Sequence, residues 1–335
     1  MSELQAGSPR SQRQRRPAER PTSLPRLDIV TVNWNAGDYL RECLEAVARS
    51  SRDHFELGKV IVVDNGSTDG SLEGLEPLDL PLIVIRNADN HGFGAACNQG
   101  AREGDGDLVL FLNPDTRVYP DTLDDTVEFM TDPRNARAGI CGGRVINDEG
   151  EEEFSCCRFP TLWMWAAKMV GLPVLFPGWI PTQRFESDEL EESGFVDQVI
   201  GAYFMIHRPL YESLGGFDER FFVYLEDVDL AYRAAQAGRP CYFLRDVPVL
   251  HTGRVSSSQV LGKRLFYLLR GRTEFARKHW PSWQAGVLAT MILFIEFPVR
   301  LFVAVKDRSR AEVDAVWQAL RAYTRYLSSG NPRGL

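Results

Sequence analysis

VLFLNPDT, residues 109–116, runs as an apolar strand and then stops on an amide, a ring and a carboxylate. Two readings compete for Asn113, Pro114 and Asp115. Proline cannot donate to a β-ladder, and Asn and Asp favour turns, so the three residues can simply punctuate a strand end. Alternatively, a rigid sheet presents an oxygen ligand at its mouth.

The neighbouring sequence repeats the pattern. LDIVTVNW (27–34) is β-branched and apolar, and DYLRECLEAVARS (38–50) follows with Tyr39, Leu40, Cys43, Leu44 and Val47 at helical spacing. KVIVVDNGSTDG (59–70) runs from strand into turn, and PLIVIRN (81–87) and DLVLFLN (107–113) are further apolar runs. Between the last two lies GFGAACNQGAREG (92–104), small-residue sequence that packs tightly as a helix. Apolar strands alternating with helices predict an α/β fold, a parallel sheet covered on both faces. Ligands bind such sheets at the carboxyl ends of the strands. That edge carries Asn33 and Trp34, Asp64 and Asn65, Asn90, and Asp115. One such residue is ordinary turn chemistry, whereas polar groups after four consecutive strands converge on one crevice. No GxGxxG follows the first strand and no GxxxxGK[ST] occurs, which disfavours dinucleotide and P-loop binding in their usual forms.

The composition, 44% hydrophobic over 335 residues, supports a large core, and a net charge of −8 argues against nucleic-acid binding through bulk electrostatics. Residues 1–26 depart from both trends: they hold Arg10, Arg13, Arg15, Arg16, Arg20 and Arg26 with little apolar content. They are expected to form a disordered basic tail, solvated or touching anionic lipid, and they lack the apolar centre of a secretory signal. The six cysteines show no CxxC spacing, which fits reduced core thiols better than a disulfide framework or zinc site.

Residues 148–198 change character. Acidic DEGEEE and ESDELEES flank FPTLWMWAAKMVGLPVLFPGW (159–179), an aromatic stretch interrupted by proline and too short to span a bilayer. Trp163, Trp165, Phe176 and Trp179 fit either an excursion over the crevice or onto a membrane, or plain core packing. Then come the strand-like FVDQVIGAYFMIHR (195–208) and GGFDERFFVYLEDVDLAYRAAQAG (215–238). In the latter, Glu226, Asp227 and Asp229 open a helix. Capping by the macrodipole explains acids there, and so does a general base whose pKa is raised by crowding. His251, closing the apolar run VPVLH, is the best partner for Asp115 if a metal is bound. One carboxylate and one imidazole leave room for phosphate oxygens and water, which suits Mg²⁺ or Mn²⁺. A core histidine bonded to backbone is the alternative.

Six motifs taken together, VTVNWNAGDYLRECLEAV, VVDNGSTDGS, NHGFGAACNQG, LFLNPDT, GGFDERFFVYLEDVDLAYRAAQAG and LHTGRVSSS, resemble glycosyltransferase family 2 in order and spacing over residues 27–258. These are inverting nucleotide-sugar transferases of GT-A fold, and the resemblance is to the rhamnosyltransferase-like branch. It implies a donor half at about 27–116, an acceptor half at about 117–258, and roles by position. Trp34 stands where a tyrosine often stacks on the donor base, beside Asn33. Asp64 matches the acid that binds the base, and Asn90 and Asn98 fall where the donor pocket is lined. Asn113 to Asp115 occupies the place of the metal-binding DxD motif, with Asn113 replacing its first Asp, so that Asp115 alone is the ionic ligand. His251 matches the second metal ligand. Asp227 matches the catalytic base, supported by Glu226 and Asp229. The implied partners are a nucleotide-sugar donor, best guessed as dTDP-rhamnose, and a glycan or polyprenyl-linked acceptor.

Residues 259–335 read as helices: 259–280, 286–306 and 311–327. The second approaches membrane-spanning length, but Glu296, Pro298 and Arg300 interrupt it. An in-plane helix flanked by Lys306, Arg308 and Arg310 is expected, giving peripheral contact with the inner face of the cell membrane by a cytoplasmic enzyme. A bundle packed on the catalytic part, or a homodimer interface, is the alternative. Rival functions are a processive polysaccharide synthase, which lacks its QxxRW motif here, and a catalytically silent binding protein on the same fold.

Overall fold

The computed structural model describes residues 23–75, 78–185, 189–253 and 261–329. Most of the basic stretch 1–26 lies outside the described residues, as do 254–258 of the last motif. The chain opens with β1 (Arg26–Asn33), α1 (Asp38–Ala48), β2 (Glu56–Asp64), β3 (Leu82–Arg86), α2 (Phe93–Glu103) and β4 (Leu108–Leu112). These strands pair in parallel in the order β3-β2-β1-β4. Their continuous apolar runs are explained by alternation, since successive side chains serve opposite faces. Leu27, Ile29, Val60, Val62, Leu108 and Leu110 join one core cluster, and Val30, Val32, Ile61, Val63, Val109 and Phe111 join the other. α1 covers the first face through Leu40, Cys43, Leu44 and Val47, and α2 covers the second through Ala96, Cys97 and Ala101. Gly100 is what lets α2 lie so close: a Cβ there would sit 2.5 Å from Val30 Cγ1.

The second half adds β5 (Thr116–Val118), α3 (Thr122–Thr131), β6 (Ile140–Ile146), β7 (Cys156–Cys157), α4 (Leu162–Met169), α5 (Leu172–Leu175), β8 (Gly194–Val196), β9 (Gln198–Val199), β10 (Tyr203–His207), α6 (Arg208–Ser213), α7 (Glu226–Gln236) and β11 (Cys241–His251). The sheet continues from β4 through β10, β6, β11 and β5. β10 is antiparallel to β4 and β6, β11 is parallel to β6, and β5 returns antiparallel to β11. The architecture is therefore a mixed α/β sheet, parallel in its first half, with helices on both faces. The run 195–208 is not one strand: it divides into β8, β9 and β10 around a turn at Gly201 and Ala202, whose backbone serves the site described below.

Four further helices follow among the described residues: α8 (Leu261–His279), α9 (Ser282–Met291), α10 (Phe297–Lys306), joined to α9 by a π-helical turn at Ile292–Glu296, and α11 (Arg310–Ser329). They share a third core with the catalytic part, in which Phe266, Phe275, Ile292 and Tyr323 meet Trp165, Phe221, Leu225 and Val228. The aromatic stretch divides by burial. Trp165 is 1% exposed in this core, whereas Trp163 is 56% and Trp179 87% exposed. All six cysteines are buried free thiols.

Candidate active site

The polar strand ends assemble on one edge. β1 and β2 pair with Asn33 opposite Asp64, and β1 pairs with β4 as far as Val30 and Phe111, two residues before the NPD turn begins. Asn33 Nδ2 donates to Asp64 Oδ1 at 2.7 Å and to Ser71 Oγ at 2.8 Å, and Ser67 N donates to Asp64 Oδ2 at 3.2 Å. Trp34 follows, half-buried. Beside this edge a cleft of about 740 Å³ opens between Asn35–Tyr39, Thr68, Asp69 and Arg117.

Asp115 and His251 come together because β5 pairs with β11, His251 facing Thr116. Thr252 N donates to the carbonyl of Asp115 at 3.1 Å, and His251 Nε2 lies 3.4 Å from Asp115 Oδ1. The donor set, one carboxylate oxygen and one imidazole nitrogen at the mouth of a sheet, fits a hard divalent cation that keeps open positions. The adjacent hydroxyls of Thr116 and Thr252 are buried and lack hydrogen-bond partners among the described residues, as expected where a polar ligand completes a site. Asn113 is held by its backbone, its N–H donating to Ala202 O at 3.0 Å and its carbonyl accepting from Thr116 N at 3.1 Å.

Asp227 sits in the first turn of α7. Its Oδ2 accepts from Gln198 Nε2 at 2.9 Å and Gly201 N at 3.1 Å, and its Oδ1 accepts from Val228 N at 2.8 Å. Burial raises its pKa, and these donors offset only part of the rise. Glu226, beneath it, is buried and raised well above the carboxylate range by burial and then by Asp227. The turn into α7 is strained: Tyr224 and Leu225 adopt φ of 71° and 70° without being glycine, at a cost of about 1–3 kcal/mol each. Packing holds them there. Leu225 is buried in the third core, and α8 approaches through Gly271, where a Cβ would stand 2.9 Å from Tyr224 O. One turn binds the two halves of the site, since Gly201 N holds Asp227 while Ala202 O receives the amide of Asn113.

Residues 28–215 match a family model described as glycosyl transferase family 2. The chain belongs to this family. It is 28% identical over 251 residues to the N-acetylglucosaminyl-diphospho-decaprenol L-rhamnosyltransferase of Mycobacterium tuberculosis, covering 70% of this chain and 80% of that protein. It is 25% identical to the rhamnosyltransferase WbbL of Escherichia coli, with 75% and 92% covered. The fold matches a mannosyltransferase of Pyrobaculum calidifontis solved with GDP-Man and Mn²⁺ (TM-score 0.53, 18% identity, 92% of this chain and 89% of that one). It also matches Staphylococcus aureus TarS solved with UDP-GlcNAc (TM-score 0.55, 16% identity, 90% and 81%). The enzyme is thus a rhamnosyltransferase-like family 2 glycosyltransferase of GT-A fold.

Other expected site residues of this glycosyltransferase also make contacts within the protein. Asn98 spends all its hydrogen-bonding groups within the protein: Oδ1 accepts from Tyr211 Oη at 2.5 Å and Phe217 N at 2.9 Å, and Nδ2 donates to Phe217 O and Glu219 Oε1. It clamps α2 to the 211–219 segment. Asn90 Oδ1 receives Gly92 N at 2.8 Å and shapes the entry to α2. Asp229 is fully buried, with Arg233 at 2.8 Å and Lys278 and His279 each at 2.7 Å. Burial would raise its pKa, but His279, Arg233 and Lys278 bring it below the usual range. It ties α7 to α8. The helix itself carries the signal for this division, because two residues of α-helix rotate roughly 200° and point Asp227 and Asp229 to opposite sides. Gln198 and Gly201 were not legible as site residues.

Proposed function

We propose that this chain is an inverting, non-processive glycosyltransferase that moves a sugar, best assigned as L-rhamnose from dTDP-rhamnose, to a hydroxyl of a lipid-linked glycan. The observation that supports this reading is the Gly201–Ala202 turn, which ties the NPD loop and Asp227 to two adjacent backbone groups. The sugar identity is supported by similarity to two rhamnosyltransferases, and the acceptor class by the lipid-linked acceptor for which the mycobacterial one is named.

Asp64, Asn33 and Trp34 would orient the donor base and Asp115 its diphosphate. Asp115 and His251 would hold Mg²⁺ or Mn²⁺, whose charge would offset that of a departing nucleoside diphosphate. Asp227 takes the proton from the acceptor hydroxyl. The acceptor oxygen forms its bond to the anomeric carbon on the face opposite the diphosphate, the carbon–phosphate-oxygen bond breaks, and configuration inverts. The raised pKa of Asp227 suits a base that must hold a proton after transfer.

The C-terminal helices supply a membrane-facing surface. The helix Ser282–Lys306 is long and apolar enough to cross a membrane, yet Glu296 is buried between Arg272 and Arg300, and the protein covers one side of it. Trp283, Phe294, Phe302 and Val305 face outward, and so do Val174, Leu175 and Trp179 of the excursion. With Lys306 and Arg308 at the end, this favours an in-plane helix on the cytoplasmic leaflet over a span. Release of nucleoside diphosphate that depends on a lipid-linked acceptor tests the function; release at the same rate without acceptor would contradict it.

A further inference from the structure

One stripe of α8 grips the loop that leads into α7. Tyr267, Arg270 and Gly271 stand at i, i+3 and i+4 and so share a face of the helix. The ring of Tyr267 stacks on Phe222, with centroids 4.5 Å apart and planes 18° from parallel. Arg270, itself buried, donates from Nη2 to the carbonyl of Arg220 at 2.6 Å. Gly271 lies against the next bend, where a Cβ would meet the carbonyl of Tyr224 at 2.9 Å.

α2 fixes the same loop at further points. Phe93 N donates to Phe222 O at 2.8 Å, and Asn98 holds both backbone groups of Phe217. With the loop pinned at Phe217, Arg220 and Phe222, and Leu225 buried in the third core, little slack remains between α8 and α7. A left-handed pair such as Tyr224 and Leu225 persists only where its surroundings over-determine it. That pair ends two residues before Asp227, whose donors Gln198 and Gly201 belong to a different part of the chain. How closely α8 approaches the loop therefore sets the distance between the carboxylate and those donors.

The helix itself does not ask for glycine at 271. Only proline is a poorer helix former, and the position lies well inside a helix of 19 residues. Helix stability alone would favour alanine there, and the nearby Tyr224 carbonyl is what excludes a side chain. Gly262 of the same helix faces Gln318 and Ala315 of α11 instead.

We propose that Arg270 and Gly271 are positioning residues for the transfer reaction, seating the loop so that Asp227 meets Gln198, Gly201 and the acceptor hydroxyl together. The proposal rests on the glycosyltransfer reading above, so one arm of its test requires no turnover. In steady-state assays with a lipid-linked acceptor, Gly271→Ala is expected to lower kcat about 10–100-fold and Arg270→Met about three- to tenfold, with donor KM unchanged. Gly262→Ala, the same change in the same helix, is expected to leave both constants alone.

The second arm follows the Asp227 carboxyl by ¹³C NMR, assigned by its loss in Asp227→Asn. Displacement from its donors raises the midpoint, so the titration is expected to move to higher pH in Gly271→Ala and Arg270→Met and to stay in place in Gly262→Ala. Glu226 of α7 and the thiols of Cys157 and Cys241 also face Asp227, and Lys278 and His279 of α8 engage Asp229; all five are retained in these variants. Unchanged kcat with an unmoved titration in both α8 variants would overturn the proposal, as would an equal loss in Gly262→Ala. A fall in kcat with an unmoved titration would assign the effect to packing alone and overturn it too. If Gly271→Ala no longer binds donor, Arg270→Met decides by the same two readings. If the parent transfers no sugar yet the titration moves as expected, the transferase reading fails and the seating of Asp227 by α8 stands.

Discussion

Gln198 donates its side-chain amide to Asp227 Oδ2 at 2.9 Å, and the amide itself is almost wholly buried. A neutral donor to a carboxylate favours its charged form and so lowers its pKa. Gln198→Leu is expected to move the acid limb of the pH–rate profile to higher pH and to cut kcat by roughly 10–100-fold, with donor KM little changed. A variant with lower kcat and an unmoved acid limb would show that the amide does not tune the base.

Asp115 and His251, 3.4 Å apart, are the proposed metal pair. Asp115→Asn or His251→Ala should weaken Mn²⁺-dependent binding of nucleoside diphosphate by more than about tenfold, since losing even an outer partner of a metal ligand costs that much. Isothermal titration with and without Mn²⁺ checks this. Metal-dependent binding that survives both changes would remove the site from this edge.

Glu226 offers a stability test with a definite sign. Its folded pKa lies above the unfolded value, through burial and then the neighbouring Asp227. Such a group contributes stability that is complete below the unfolded pKa and is lost as pH rises through the folded one. Glu226→Gln should therefore be as stable as the parent near pH 4 and equal or more stable at neutral pH, measured by urea unfolding. Lower stability of the variant at neutral pH alone would contradict the raised pKa.

Asp229 works in the opposite sense. Removing it leaves Arg233, Lys278 and His279 around an empty anion position at the α7–α8 junction. Asp229→Ala should cost about 3–5 kcal/mol in urea unfolding. A loss of turnover with unchanged stability would instead return Asp229 to the chemistry.

The parallel half of the sheet was legible because its strands are uninterrupted apolar runs ending in Asn33, Asp64 and Asp115, and a sheet of fixed register turns such endings into one edge. The other half was less so. β11 carries Asp246 and Pro248 and shifts register between Leu244 and Pro248, which blurs its period. β8, β9 and β10 looked continuous because the turn at Gly201 and Ala202 is written in small residues that a strand also tolerates. Gln198 carried no charge to attract notice. Among acids of one helix turn, Asp227 and Asp229 divide by helical geometry, a signal present in the spacing itself.

The most direct test of Asp227 as the base is the Asp227→Asn variant, followed for donor binding and for single-turnover transfer to a lipid-linked acceptor. Asparagine keeps the size of the side chain and cannot take the proton. Donor affinity within about twofold of the parent, with transfer reduced by about 10²–10⁴ or more, is the predicted result. Transfer at the parental rate by this variant would contradict it.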